Sequence, residues 1–146
     1  MRKIRNLALF SLMAFAFTAC GSEGGSGSVT YKDGTYSGRS ADHAADESGN
    51  GAGYGTVELT IAGGKVTACT FAMYEIDGTL KDDQYGAELS RENRLKAQKA
   101  VQAGQKYASG LAEKGELSSV DAISGATISY SEFEEAVQDA LKKAVK

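Results

Sequence analysis

The chain has no proline and no tryptophan, a single histidine (His43) and two cysteines, Cys20 and Cys69, among 146 residues. One histidine and two distant cysteines make no cluster at zinc-binding spacing. They also leave no CxxC redox pair. There is no GxSxG elbow and no SxxK pair, which removes the common serine hydrolases. The acids Asp42, Asp46 and Glu47, and the pair Asp82 and Asp83, lack the alternating ladder of a calcium loop and read as solvated. His43 stands among them and is expected to be a solvated loop residue. Positive charge is also scarce: the formal net charge is −3. Without Arg2, Lys3 and Arg5 near the start, 13 basic side chains face 19 acidic ones, a net −6. That excludes a nucleic-acid binder, which needs a basic face, and a polybasic membrane-surface protein. The length admits one ordinary domain.

What is present begins with a leader. Met1-Arg2-Lys3-Ile4-Arg5 is a positive n-region, and LALFSLMAFAF (7–17) is an apolar run of signal-peptide length. Thr18-Ala19-Cys20-Gly21 resembles a bacterial lipobox, with Phe17 in place of the usual leucine. Residues 1–19 are therefore read as a lipoprotein signal peptide and Cys20 as the lipidated residue, the alternative being a plain secretory signal with an incidental cysteine. Residues 20–30 form a flexible linker whose GSEGGSGS stretch lets a domain stand off from its anchor. The expected location is extracytoplasmic, on a bacterial cell membrane. Residues 31–146 form the domain. Cys69, then the only free thiol, is expected to be a small buried hydrophobe on a strand face with Phe71 and Met73.

The domain opens with a strand over 30–40 (TYKDGTYSGRS), followed by a polar, exposed loop over 41–53. TVELTI (56–61) alternates, with Val57, Leu59 and Ile61 inward, and Gly63-Gly64 turns it into a return strand over 66–76. From about Ser90 the period becomes helical, with Ala97, Ala100, Val101, Gly104, Tyr107, Ala108 and Leu111 on one face. Residues 117–123 read as a short extended segment. A last helix carries Phe133, Val137, Ala140, Leu141, Ala144 and Val145 in one stripe. Ser129…Glu132 and Ser131…Glu134 are each a candidate capping box at its start. These elements predict an α+β fold: a small antiparallel β-sheet with two helices packed on it.

Two glycine-bearing stretches remain. GNGAGYG (49–55) precedes a strand, whereas a phosphate-binding glycine loop opens a helix, so it is not read as one. DAISGATIS (121–129) does sit before a helix. Small residues there let several backbone N–H groups converge, and a helix start adds partial positive charge. By residue type alone the stretch suits either a phosphate site or an ordinary loop and N-cap.

Asp121-Ala122-Ile123-Ser124-Gly125-Ala126-Thr127 resembles the flavinylation motif D-x-x-[ST]-G-A-[ST] of the FMN-binding domain family. That family includes flavin subunits of the Rnf and Na⁺-pumping NADH:quinone reductase complexes and small secreted flavoproteins. DGTYSG, the GYGTVELTIAGGKV hairpin and the helix after SGAT follow the family's order. The resemblance implies a flavin-attachment loop at the N-terminus of the last helix and covalent FMN, held by a phosphoester on Thr127. Gly125 and Ala126 would give the phosphate room, Ser124 would donate a hydrogen bond, and Asp121 would help a separate FAD:protein FMN transferase recognise the site. Tyr74 and Tyr85 would offer a surface to the flavin ring, while Tyr107 reads as helix core.

Two functions follow. In one, a lipid-anchored flavoprotein carries electrons from a membrane quinone or NADH dehydrogenase system to an extracellular acceptor or partner reductase, more a carrier than an enzyme with its own turnover. In the other, a lipid-anchored, non-redox binding module uses loop 41–53 as its contact surface. Flavin absorbance separates the two.

Overall fold

The computed structural model describes residues 29–47 and 49–146. The leader, Cys20 and the linker up to residue 28 lie outside the described residues. Three strands, β1 (Gly34–Arg39), β2 (Tyr54–Ala62) and β3 (Lys65–Tyr74), form an antiparallel sheet in that order. Two helices, α1 (Arg91–Lys114) and α2 (Thr127–Ala144), pack on one face of it. This is the α+β arrangement that the sequence predicts.

The hairpin forms where alternation is strictest. Val57, Leu59 and Ile61 are buried, and Cys69 and Phe71 stand opposite Leu59 and Val57 on the same inner face. Gly63 and Gly64 have φ of 61° and 77°, the doubly left-handed backbone that a two-residue hairpin turn requires. Burial pushes the Cys69 thiol up to about 12, which makes it a packing residue rather than a nucleophile.

β1 is shorter than expected. Tyr31 leaves the sheet and pairs with Val145, while the Lys32 N–H donates to the Ala144 carbonyl at 2.7 Å. The C-terminal end of α2 thus captures the chain before β1 begins. The segment after α1 is also not simply extended: Leu117–Ser119 forms one 3₁₀ turn, with Val120 buried behind it.

α2 lies across β1 and β2, and α1 lies against β3. Ala136, Ala140 and Ala144 recur every four residues on α2 and are fully buried. That small-residue ridge seats the helix backbone directly on Gly38 of β1. A Cβ at Gly38 would collide with the Ala136 carbonyl oxygen and come within 2.6 Å of the Ala140 nitrogen. No rotamer relieves a clash with backbone, so the sequence needs glycine there. Gly38→Ala is expected to destabilise the domain by about 3 kcal/mol or more, measured by urea unfolding; a loss within ~0.5 kcal/mol, as for a surface change, would contradict this packing.

Candidate functional site

The two halves of α1 have different surroundings. Its C-terminal half, with Ala103, Gly104, Tyr107, Ala108 and Leu111, is core. In its N-terminal half, Ala97, Ala100 and Val101 are half-buried and form one wall of a cavity of about 820 Å³. The start of α2 supplies the opposite wall through Thr127, Ile128, Ser129 and Glu132. Loop residues Gly49 and Gly51 and the segment bearing Lys81 and Tyr85 complete it, with Met73 of β3 beneath. The volume lies within the several-hundred-Å³ range of small-molecule and cofactor sites.

The mouth of α2 is unusual in what it lacks. Ala126 is the N-cap residue, with no side-chain capping hydrogen bond, and no acid occupies the first turn. Neither expected capping box forms. Ser129 and Ser131 lie inside the helix, and Ser131 Oγ donates back to the Thr127 carbonyl at 3.2 Å. The first-turn N–H groups have no intrahelical acceptor, so they remain available to an anion. Just before them Gly125 turns the chain with φ 79°, and its missing side chain makes way for Lys99: a Cβ there would approach Nζ at 2.8 Å. An ammonium, an uncapped helix start and the Thr127 hydroxyl therefore meet at one end of the cavity.

This loop is held from below. The Tyr107 hydroxyl accepts from the Ile123 N–H at 2.8 Å and donates to the Ala126 carbonyl at 3.2 Å. One phenol thus spans both ends of the turn. Its ring is 1% exposed, stacks on Phe133 at 5.6 Å and meets Tyr130 edge-on at 5.2 Å. Tyr130 in turn donates to the Val120 carbonyl at 2.8 Å. Tyr107 is helix core, as expected, but its polar tip makes it the support of the loop.

The same cavity is lined by two buried charged residues that the sequence pattern does not single out as site residues. Glu132 is 2% exposed, and its Oε1 has no hydrogen-bond partner among the described residues. Burial holds its carboxyl above the ordinary glutamate range, against the pull of Lys81 and His43. Lys81 is 8% exposed; burial lowers its pKa, and Glu132 and Glu75 oppose that shift. Its ammonium donates to the Gly51 carbonyl over a long 3.4 Å and stands 5.1 Å from the centre of the Tyr85 ring. A buried carboxyl oxygen left unpartnered beside a cavity points to a ligand-facing group.

Of the residues picked from the sequence, Gly125, Thr127 and Tyr85 line this cavity. Ala126 is buried beneath the turn, and Ser124 and Asp121 are exposed beside it. Tyr74 is elsewhere. It stacks on Tyr54 at 5.4 Å, and Arg39 covers Tyr54 at 3.8 Å. Tyr74 lines a separate groove with Thr56, Glu58 and Thr70, so the structure does not bring it to Thr127. His43 is not the solvated residue expected: it is half-buried, its backbone pairs with Gly53, and Nε2 lies 3.3 Å from Glu135.

A model of the FMN-binding domain family matches residues 50–142, which include both walls of the cavity and the turn before Thr127. The chain belongs to the FMN-binding domain family. Among curated proteins no match was found. The crystal structure of the CPE2226 protein from Clostridium perfringens has the same fold, with a TM-score of 0.52 and 23% identity over 79% of this chain and 89% of that one.

The residues present fit FMN. The open helix start and Lys99 suit its phosphate, Leu89, Ala97, Ala100 and Val101 offer an apolar wall for a ring, and the polar side chains of Lys81 and Glu132 line the same cavity. Tyr107→Phe should cost about 1–3 kcal/mol by unpairing two loop groups, and it should lower FMN occupancy of the FMN-binding domain, read as flavin absorbance per protein. Full occupancy and unchanged stability would show that the loop does not depend on this hydroxyl.

Proposed function

We propose that this FMN-binding domain is a membrane-anchored, extracytoplasmic electron carrier with FMN joined by a phosphoester to Thr127. The observation that carries the reading is the uncapped start of α2, where Thr127 stands beside Gly125 and the Lys99 ammonium at one end of a cavity suited to a ring. The complete D-x-x-[ST]-G-A-[ST] match at Asp121, Ser124, Gly125, Ala126 and Thr127 supports it.

In this reading a separate FAD:protein FMN transferase installs the group. Thr127 Oγ takes the FMN phosphoryl group from FAD, the bond between the two phosphates breaks, AMP leaves, and the hydroxyl proton passes to a base of the transferase. Ser124 and Asp121, both exposed, are open to that enzyme during modification. Gly125 and Ala126 keep bulk away from the phosphate. FMN supplies one- and two-electron transfer, while the protein supplies attachment, orientation and electrostatics. Lipid on Cys20 would tether the domain to the membrane, within reach of a quinone or NADH dehydrogenase donor, and an extracellular acceptor or partner reductase would receive the electrons. Among the described residues no helix is long and apolar enough to cross a membrane.

Protein produced together with the transferase should carry the mass of one FMN phosphoryl group on the tryptic peptide containing Thr127. Thr127→Ser should keep that mass and Thr127→Ala should lose it. An unmodified wild-type peptide, or an adduct that survives Thr127→Ala, rules the assignment out.

A further inference from the structure

Glu132 breaks a pattern. It lies on the buried face of α2 with Phe133, Ala136, Val137 and Ala140, where an apolar residue would pack. A carboxyl group there costs desolvation free energy, more so with one oxygen unpaired. The charged and titratable groups that influence it come from three directions: Lys81 and Tyr85 from the segment after β3, His43 from the loop after β1, and Glu135 on α2 itself. Among the described residues none of these forms a hydrogen bond to Oε1. The oxygen belongs to a residue that lines the same cavity as Thr127, five positions further along the helix. That spacing is an axial rise of about 7.5 Å along α2, so the two residues stand apart along one wall of the same cavity.

We propose that Glu132 recognises the polar edge of the flavin ring, its unpartnered carboxylate oxygen accepting the imide N–H while the Lys81 ammonium donates to a flanking imide carbonyl. This rests on the reading above, in which FMN is attached at Thr127. The donor and acceptor inventory selects this pairing. A carboxylate only accepts and an ammonium only donates. The oxidised ring offers one N–H donor, at the imide, with a carbonyl acceptor on either side. Glu132 and Lys81 present the complementary pair, and no hydrogen bond or ion pair joins them to each other. The attachment at Thr127 fixes one end of the cofactor, and Glu132 with Lys81 fixes which edge of the ring enters the cavity.

The consequence is measurable on the loaded protein without any activity assay. A carboxylate beside the imide opposes loss of its proton, because two negative charges would then meet. Alkaline titration of the FMN-loaded protein, followed by the visible flavin spectrum, gives the ionisation constant of the imide. Glu132→Gln keeps the size and hydrogen bonding of the side chain but removes the charge, so it should raise that constant about tenfold or more. Glu132→Ala should do the same, and Asp139→Asn, two helical turns further along α2 and paired with Lys143 and the Arg39 N–H, should leave it unchanged. Near-UV circular dichroism verifies that each variant is folded, and Glu132→Gln carries the test if Glu132→Ala is not. An unchanged constant in folded Glu132→Gln, with FMN confirmed on Thr127 by mass, overturns the role of Glu132 and leaves the attachment standing. Absence of the adduct from the wild-type protein overturns both.

Discussion

The site depends on the Tyr107 hydroxyl. It is the one polar tip of a buried aromatic cluster that reaches the turn before α2, and it holds an N–H at one end of that turn and a carbonyl at the other. A turn of small residues has little packing of its own and loses much conformational freedom when ordered. Here the order comes from beneath, through a phenol clamped between α1 and α2. The core and the turn before α2 are therefore one structure: the stacking that seats Tyr107 on Phe133 also sets where Thr127 stands.

Given that support, α2 can begin without a cap. Most helices satisfy their first N–H groups with a serine, threonine or acid. This one begins on Ala126, keeps acids out of its first turn, and has a lysine from α1 beside the preceding glycine. Each choice gives up a little helix stability and leaves positive potential at one point. Elsewhere in the cavity lining the same logic holds, with Glu132 and Lys81 buried and incompletely paired. Two departures from what folding alone favours, both lining one cavity, are a stronger sign of a ligand than either alone.

The hairpin was legible from the sequence because alternation and a Gly-Gly turn fix register and face together. The turn before α2 stands out in the sequence through its motif, and in the fold it leads into an uncapped helix start. Other features were hidden for specific reasons. Helical periodicity marked Ala97, Ala100 and Val101 as apolar but cannot tell a cavity wall from a core. By spacing, Glu132 reads as the acid of a capping box with Ser129, since spacing alone does not show that the helix starts two residues before that serine. Its true signal was an acid on a face shared with Phe133 and Val137. Tyr74 looked like a ring platform from its place after the hairpin, but strand register turns it toward Tyr54 and away from Thr127. Lys99, from the middle of α1, reaches the turn only through the packing of two helices.

A crystal structure of the FMN-loaded protein tests the central claim most directly. The account predicts the phosphate on Thr127, within hydrogen-bonding distance of the first-turn N–H groups of α2 and beside Lys99, with the ring in the cavity between α1 and α2. A ring lying instead against Tyr54 and Tyr74 on the outer face of the sheet, or a phosphate away from the helix start, would contradict it.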